Sequence, residues 1–214
     1  MPNQVTLKPS DHVFTARDDE TILDAALREG FVISYGCRNG ACGTCKGKLL
    51  AGSVDYGTYQ ETALTDAEKR LGLALFCQAR PRGDIVIECR EIGAAKDVPI
   101  RTLPCRVQKM QRVAADIMLL HLKLPASERL QFLAGQYLDI LLKDSMRRSF
   151  SMANAPHDDE FLQLHVRNYG GPFSTHVFTR MKERDILRFE GPLGTFFLRE
   201  DGGKPILLLA SGTG

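Results

Sequence analysis

Three cysteines stand at positions 37, 42 and 45 in the stretch SYGCRNGACGTCKGK (residues 34 to 48), and a fourth waits at Cys77. Four residues separate the first two, two separate the next, and thirty-one precede the last. This spacing constrains the fold more than anything else in the chain, because one tight loop and one distant thiol must meet at a point. The C-x4-C-x2-C…C pattern is the plant-type signature of a [2Fe–2S] cluster. Iron bridged by sulfide is soft and spreads its charge onto sulfur, so thiolates are the ligands it needs. It also needs a loop whose amide N–H groups can turn toward those sulfurs and stabilise the added electron. Gly36, Gly40, Ala41, Gly43 and Thr44 are small enough to let the backbone come that close. A structural zinc site usually shows two close cysteine pairs, and here there is one C-x2-C. A disulfide framework belongs to short secreted chains.

The rest of the composition is that of an ordinary globular protein, 43% hydrophobic and 25% charged over 214 residues, with room for two compact domains. A net charge of +2 gives no ground for nucleic acid or membrane as the main partner. MPNQVTLKPSDHVF has no cationic stretch followed by an apolar core, and no apolar run approaches a membrane span. Six cysteines without an export signal point to a reducing cytoplasm, with four of them serving iron. Cys89 and Cys105 remain as structural residues. Cys89 continues the alternation Ile85, Ile87 and is expected to face a core as a small hydrophobe.

Residues 1–93 read as the first domain, a small α+β sheet. QVTLKP and HVFTA form a hairpin. Thr21 caps a helix running to Arg28, with Asp24 as its capping-box partner and Gly30 as the stop. Thr65 and Glu68 repeat the device ahead of Gly72. KLLAGSVDY and DIVIECR add strands, so the cysteine loop falls between the first helix and the next strand. GAAKDVPI loses the pattern, and residues 94–101 read as a linker.

Residues 102–203 follow a different grammar. RVQKMQRV, IMLLHLKL, YLDILLKD, FLQLHVRN and ILRFEG are short strands at turn-separated intervals, as in an antiparallel barrel. In FLQLHVRN the alternation sends Leu162, Leu164 and Val166 one way and Phe161, Gln163, His165 and Arg167 the other. One helix interrupts the series, capped by Ser174, with Val177, Phe178 and Met181 as its apolar stripe. Residues 204–214 change again. PILLLA is a strand of the fully buried kind opening onto SGTG, the start of a nucleotide-binding β–α unit.

Three features of the barrel segment together suit a phosphorylated, planar cofactor. RRSFSMAN places Arg148, Phe150 and Ser151 on one extended segment, a guanidinium for pyrophosphate, a ring for stacking and a hydroxyl for a ring nitrogen. NYGGPFST runs into a helix whose first-turn N–H groups attract an anion, with Gly170 and Gly171 letting the backbone approach. GPLGTFFL adds two glycines and an aromatic pair. Each has a plainer reading alone: Arg148 as a solvated surface residue, Gly-Gly-Pro as a turn, Phe196 and Phe197 as core, His165 as a polar-face residue without a proton to transfer.

Order and wording bring these together. TILDAAL, LAGQY, RRSFSMANAP, LHVR, GPLGTFFLRED and SGTG, in that order, resemble the ferredoxin–NADP reductase superfamily along the whole chain. The likeness is to its bacterial members built as ferredoxin, flavin domain and nicotinamide domain. The resemblance implies a β-grasp ferredoxin domain, then an antiparallel β-barrel that binds FAD, then a stub of an α/β nicotinamide-binding domain. It implies that Arg148, Ser149, Phe150 and Ser151 carry the flavin, with Ser151 near its N5 atom. His165, Val166 and Arg167 join them, Gly170, Gly171 and Ser174 hold the phosphates, and Gly212, Thr213 and Gly214 open the NAD(P)H site. FMN is the alternative flavin, since a terminal phosphate suits the same arginine. Phe150 stands where the family commonly carries tyrosine, so the ring can stack without a hydroxyl to donate. The implied activity is electron transfer from NAD(P)H through the flavin to the cluster and on to a partner, a deoxysugar dehydrase or an iron oxygenase component. A chain ending at the G-T-G turn is expected to be reduced poorly by NAD(P)H. Three competing readings stand beside it. A plain ferredoxin-type carrier predicts iron without flavin. An iron–sulfur sensor predicts a DNA-reading helix or basic patch, which the sequence does not offer. A riboflavin-synthase-like barrel predicts ligand binding without electron transfer.

Overall fold

The computed structural model describes residues 2–93 and 97–198 together with Pro205, Leu207, Leu209 and Thr213. The chain divides into two compact units, Met1–Asp97 with Gly194–Phe196, and Val98–Leu193 with Phe197–Gly214.

The first unit is a five-stranded sheet holding one helix. β1 (Asn3–Lys8) and β2 (His12–Ala16) form the expected hairpin, with Val5 opposite Phe14. Helix α1 (Ile22–Arg28) follows, then β3 (Lys46–Ala51), β4 (Val54–Asp55), α2 (Asp66–Arg70), β5 (Leu73–Leu75), β6 (Arg80–Pro81) and β7 (Ile85–Glu88). The strand order is β2-β1-β7-β3-β5, with β1 and β7 parallel and the other ladders antiparallel; β4 and β6 pair separately. Alternation decides the buried face: Val5, Leu7, Ile85 and Ile87 are buried, and α1 sets Ile22, Leu23, Ala25 and Ala26 against them. Burying side chains of this size stabilises the unit by about 1.5–3 kcal/mol for each large one.

Both helix caps form, but differently. Thr65 and Glu68 close a complete box, side chain to backbone in both directions (2.8 and 3.3 Å). At α1, Thr21 accepts the Asp24 amide (3.1 Å), while the Asp24 carboxylate takes the Thr21 hydroxyl (2.8 Å) instead of its amide. Asp24 thereby keeps its other oxygen for Arg38 of the cysteine loop (2.9 Å). Cys89 lies just past β7, half-buried, where the strand alternation has ended. The segment Gly194–Phe196 packs with this unit, Thr195 exchanging hydrogen bonds with the backbone of Tyr35 (2.9–3.1 Å). GPLGTFFL is not among the described residues that line the flavin region: Thr195 is held by Tyr35, and of the aromatic pair Phe196 is 86% exposed while Phe197 is buried.

The second unit is one antiparallel sheet of six strands: β8 (Arg101–Ala114), β9 (Ile117–Lys123), β10 (Tyr137–Leu141), β11 (Arg147–Ser151), β12 (Leu162–Arg167) and β13 (Ile186–Leu193). Helix α3 (Pro172–Thr179) interrupts them. The order is β11-β10-β13-β8-β9-β12, and among the described residues no ladder joins β11 to β12, so the expected barrel is not closed. The edges meet just beyond β11, where Ala153 donates to Gln163 O (2.8 Å) and Gln163 donates to the Asn154 side chain (3.0 Å). β11 ends at Ser151, before this point of contact. Inside lie Val107, Leu120, Leu122, Leu138, Ile140, Leu164 and Phe189, with Leu162 and Val166 beside them as the alternation predicts.

Helix α3 begins one turn earlier than expected. Gly171 is its N-cap and Pro172 its first residue, where a missing N–H costs nothing. Ser174 is therefore inside the helix, its hydroxyl donating back to Gly171 O (3.1 Å), and caps nothing. Phe173 and Val177 are the helix's buried residues, Phe178 is partly buried, and Met181 is buried beyond its end. Of PILLLA, Leu207 and Leu209 are 93% and 91% exposed, whereas a strand buried on both faces was expected; such a strand needs layers on both sides, and these two residues have none over them. Among the described residues no helix is long and apolar enough to cross a membrane.

Candidate functional site

The four cysteines of the first unit meet in two pairs. The register of β3 against β5, Lys46 opposite Leu75, runs on one residue as Phe76 donates to Cys45 O (3.1 Å). That places Cys45 and Cys77 together, their sulfurs 3.1 Å apart and both buried. Cys37 and Cys42 form the other pair at the loop's outer side, each amide donating to the other's sulfur (3.4 and 3.3 Å). Two features of the loop make this reversal. Gly40 takes φ +74, and a Cβ there would lie 2.9 Å from Thr58 O and from the Tyr59 backbone. Arg38 takes φ +59, held by Asp24 at its guanidinium and by the Gln78 amide at its carbonyl (3.0 Å).

The electrostatics favour the thiolate form at Cys42 and Cys77 and oppose it at Cys45. Burial opposes ionisation of Cys42, but the Cys37 amide and the hydroxyl and amide of Thr44 outweigh it and hold the thiol below its usual range. Cys45 donates its proton to Cys77, which raises Cys45 and lowers Cys77. In the two cysteines outside the set the main cause is burial. Burial, with Glu91 a lesser cause, pushes Cys89 up to about 12, and burial alone does the same for Cys105. Both are inert protonated thiols. Four thiols in two pairs, with amide donors on sulfur, fit a two-iron cluster with one pair for each iron.

The second unit holds a cavity of about 540 Å³ between β11, β12 and the start of α3. Arg148 and Phe150 share a face of β11, opposite Ile140 and Leu138 of β10. Phe150 is half-buried against Phe173, ring centroids 5.4 Å apart. Among the described residues Arg148 has no acidic partner, and its Nη1 donates to Arg147 O (2.7 Å). Ser149 also lines the cavity, and its hydroxyl donates to buried Asp139 (2.6 Å). Ser151 also borders the cavity.

From β12, His165 and Arg167 line the same space. The Asp116 carboxylate holds Arg167 at 2.7 Å and its charge firmly in place, and the guanidinium lies over the Tyr169 ring at 5.5 Å. Val166 alternates inward and is wholly buried in the core, so its side chain takes no part. Gly170 takes φ +76, and Gly171 and Ser174 border the cavity. The amides of Phe173 and Ser174, in the first turn of α3, have no intrahelical carbonyl to meet. An unpaired guanidinium, two open amides and a half-buried ring fit a phosphorylated flavin.

Thr213 lines this cavity too, while Gly212 and Gly214 lie outside the described residues. Sequence reasoning missed Tyr169 and Phe173, both inside NYGGPFST, because the glycines drew the reading to a turn. It also passed over Gln78, whose only signal is its place after Cys77.

Residues 5–82 match the 2Fe-2S iron-sulfur cluster binding domain, and residues 104–198 match the oxidoreductase FAD-binding domain. The chain is 40% identical to a CDP-6-deoxy-L-threo-D-glycero-4-hexulose-3-dehydrase reductase of Yersinia pseudotuberculosis, over 100% of this chain and 64% of the relative. It is 36% identical to reductase component 1 of a terephthalate 1,2-dioxygenase of Comamonas sp, over 100% of this chain and 63% of that one. The crystal structure of the Amycolatopsis cytochrome P450 reductase GcoB superposes with a TM-score of 0.79 at 34% identity, covering 95% of this chain and 62% of the other. The chain thus spans under two thirds of the length of these relatives. With a 2Fe-2S domain followed by an FAD-binding domain, it belongs to the ferredoxin–NADP reductase superfamily.

Proposed function

We propose that this chain is the iron–sulfur and flavin portion of a reductase that takes electrons from NAD(P)H and delivers them singly to a partner protein. The observation that carries the reading is the presence of both a four-thiol loop and a phosphate-and-ring cavity in one chain. Bound there, FAD supplies the exchange of a two-electron donor for one-electron steps, and the cluster carries electrons one at a time.

The chain's own residues position and tune. Arg148 and the open amides of Phe173 and Ser174 hold the diphosphate. Phe150 stacks on the ring system, and Ser151 offers a hydrogen bond near its N5 edge. Gly170 and Gly171 let the backbone approach, and His165 and Arg167 form the wall. Ser149, engaged with Asp139, braces the strand. Cys37 and Cys42 hold one iron and Cys45 and Cys77 the other. Thr213, with Gly212 and Gly214, belongs to the NAD(P)H approach. We divide the chain as 1–93, a linker at 94–101, 102–203 and 204–214, and place it in the cytoplasm, where thiolate ligands stay reduced.

The likeness to the Yersinia reductase favours a deoxysugar dehydrase as acceptor, and the Comamonas likeness favours an oxygenase component as the second reading. Anaerobic titration with dithionite tests the core of this. Uptake of about three electrons per chain, two for flavin and one for the cluster, is expected. Uptake of about one would leave a plain iron–sulfur carrier, and no uptake would end the reading.

A further inference from the structure

A second cleft of the second unit, about 410 Å³, lies on the outer face of its sheet, where Lys123 of β9, Arg106 of β8 and Ile186 of β13 stand in one row. It sits in the middle of the strand order, on β13-β8-β9, whereas the flavin cavity draws on the two edges, and the two share no lining residue. The alternation that buries Cys105, Val107 and Leu122 sends Arg106 and Lys123 outward. Two like charges directly opposite each other on paired strands destabilise the ladder. Among the described residues nothing offsets them: Arg106 donates to the Gln108 side chain (3.2 Å), Lys123 lies 5.7 Å over the Phe161 ring, and neither has a carboxylate partner. Acids close by in the chain are engaged elsewhere. Asp185 accepts the Lys182 amide (2.9 Å), Glu183 accepts the Met110 amide (3.2 Å), and Glu128 holds Arg101. Beside the two cations Ile186 is 66% exposed, and Pro104, Leu124, Pro125 and Ala126 complete a wall without an aromatic ring.

We propose that this cleft binds an aliphatic carboxylate, its oxygens bridging Arg106 and Lys123 and its chain lying along Pro104, Leu124, Pro125 and Ile186. A planar guanidinium fork beside an ammonium group suits a carboxylate. Directly opposed residues stand about 5 Å apart at Cβ, a spacing for one anionic group rather than two. With no ring to stack on, the wall favours an aliphatic body over a planar one. An anion without a chain would leave Ile186 and the prolines in water, and a chain without a charge would leave the cations opposed. The volume is in the range of small-molecule sites.

The test is isothermal titration calorimetry of octanoate into the full chain at low ionic strength, with and without FAD, beside acetate and octanol as comparators. A single saturable octanoate site is expected in both states, with acetate and octanol each weaker by about tenfold or more. Arg106→Gln should weaken octanoate by a similar factor, and Ile186→Ser by several-fold. Both side chains are exposed, so the fold is kept. Lys123→Glu should abolish binding and raise the denaturation midpoint of the free chain, because it turns a like pair into an opposite one. Absence of saturable octanoate binding overturns the proposal, as does unchanged binding in Arg106→Gln or an octanol affinity equal to that of octanoate. Binding that FAD displaces would put octanoate in the flavin cavity and also overturns it. So does a Lys123→Glu midpoint at or below wild type, which would show that the opposed charges carry no cost.

Discussion

Three of the four thiols in the cysteine loop fall within nine residues, whereas the flavin cavity draws on Arg148 and Ser174, twenty-six residues apart, and on β12 between them. The loop needs one residue type at fixed intervals, because only thiolates bind this kind of iron and the loop's short reach sets the spacing. The cavity needs a charge, a ring and open amides to converge, and many residue types can supply each of these. Removing one part should therefore be absolute in the first region and graded in the second.

Replacing Cys42 with Ala gives the largest effect: complete loss of the cluster, read as iron content and the visible iron–sulfur bands. Cys89→Ala and Cys105→Ala should keep full iron, because burial holds both as protonated thiols. Equal iron loss in Cys42→Ala and Cys89→Ala would break the comparison at its root.

Two glycines of like conformation sharpen it. Gly40 and Gly170 have φ +74 and +76, but a Cβ at Gly40 meets backbone at 2.9 Å while one at Gly170 meets nothing within 4 Å. Gly40→Ala combines left-handed strain with a steric overlap that cannot relax, and should destabilise its unit by about 2–4 kcal/mol. Gly170→Ala carries the strain alone, about 1–2 kcal/mol. Denaturant midpoints of the two variants should rank in that order, with iron lost only from the first. A larger loss at Gly170 would mean that the cavity's turn is packed more tightly than its open surroundings suggest.

Arg148→Ala addresses the graded side. A charge-assisted contact to phosphate contributes about 1.5–3 kcal/mol, so FAD affinity should fall roughly 10- to 100-fold with iron unchanged. Fluorescence titration of the apoprotein with FAD measures it. Unchanged affinity would remove Arg148 from the site.

These differences also explain what the sequence made legible. The cluster ligands could be read outright, since C-x4-C-x2-C…C has few other uses. Strand alternation in FLQLHVRN placed Leu162, Leu164 and Val166 inside correctly, and the same alternation removes Val166 from the cavity wall, where motif matching had put it. Barrel closure was not legible, because it depends on whether the two edge strands β11 and β12 pair with each other, and nothing local in RRSFS or LQLHVR determines that. Thr195 shows the same limit from another side: its partner, Tyr35, lies 160 residues earlier, beyond the reach of any motif.

Ser174 gives the smallest expected effect and the sharpest test of how the phosphates are held. A serine after Gly-Gly-Pro-Phe reads as a cap whose hydroxyl faces the ligand, and its loss would then cost as much as losing a strong donor. In the structure Gly171 is the cap, and Ser174 Oγ donates to Gly171 O at 3.1 Å, so its proton is already committed within the turn. What the helix end offers to an anion is its open amides, at Phe173 and at Ser174 itself. Alanine keeps both amides, fits a helix interior better than serine, and leaves Gly171 O still accepting from the Thr175 amide (2.9 Å). Ser174→Ala should therefore weaken FAD binding by no more than about 0.5 kcal/mol, roughly twofold. A loss as large as that of Arg148→Ala would show that the hydroxyl turns from Gly171 to the phosphate on binding. The grading of the cavity would then be shallower than its geometry without ligand implies.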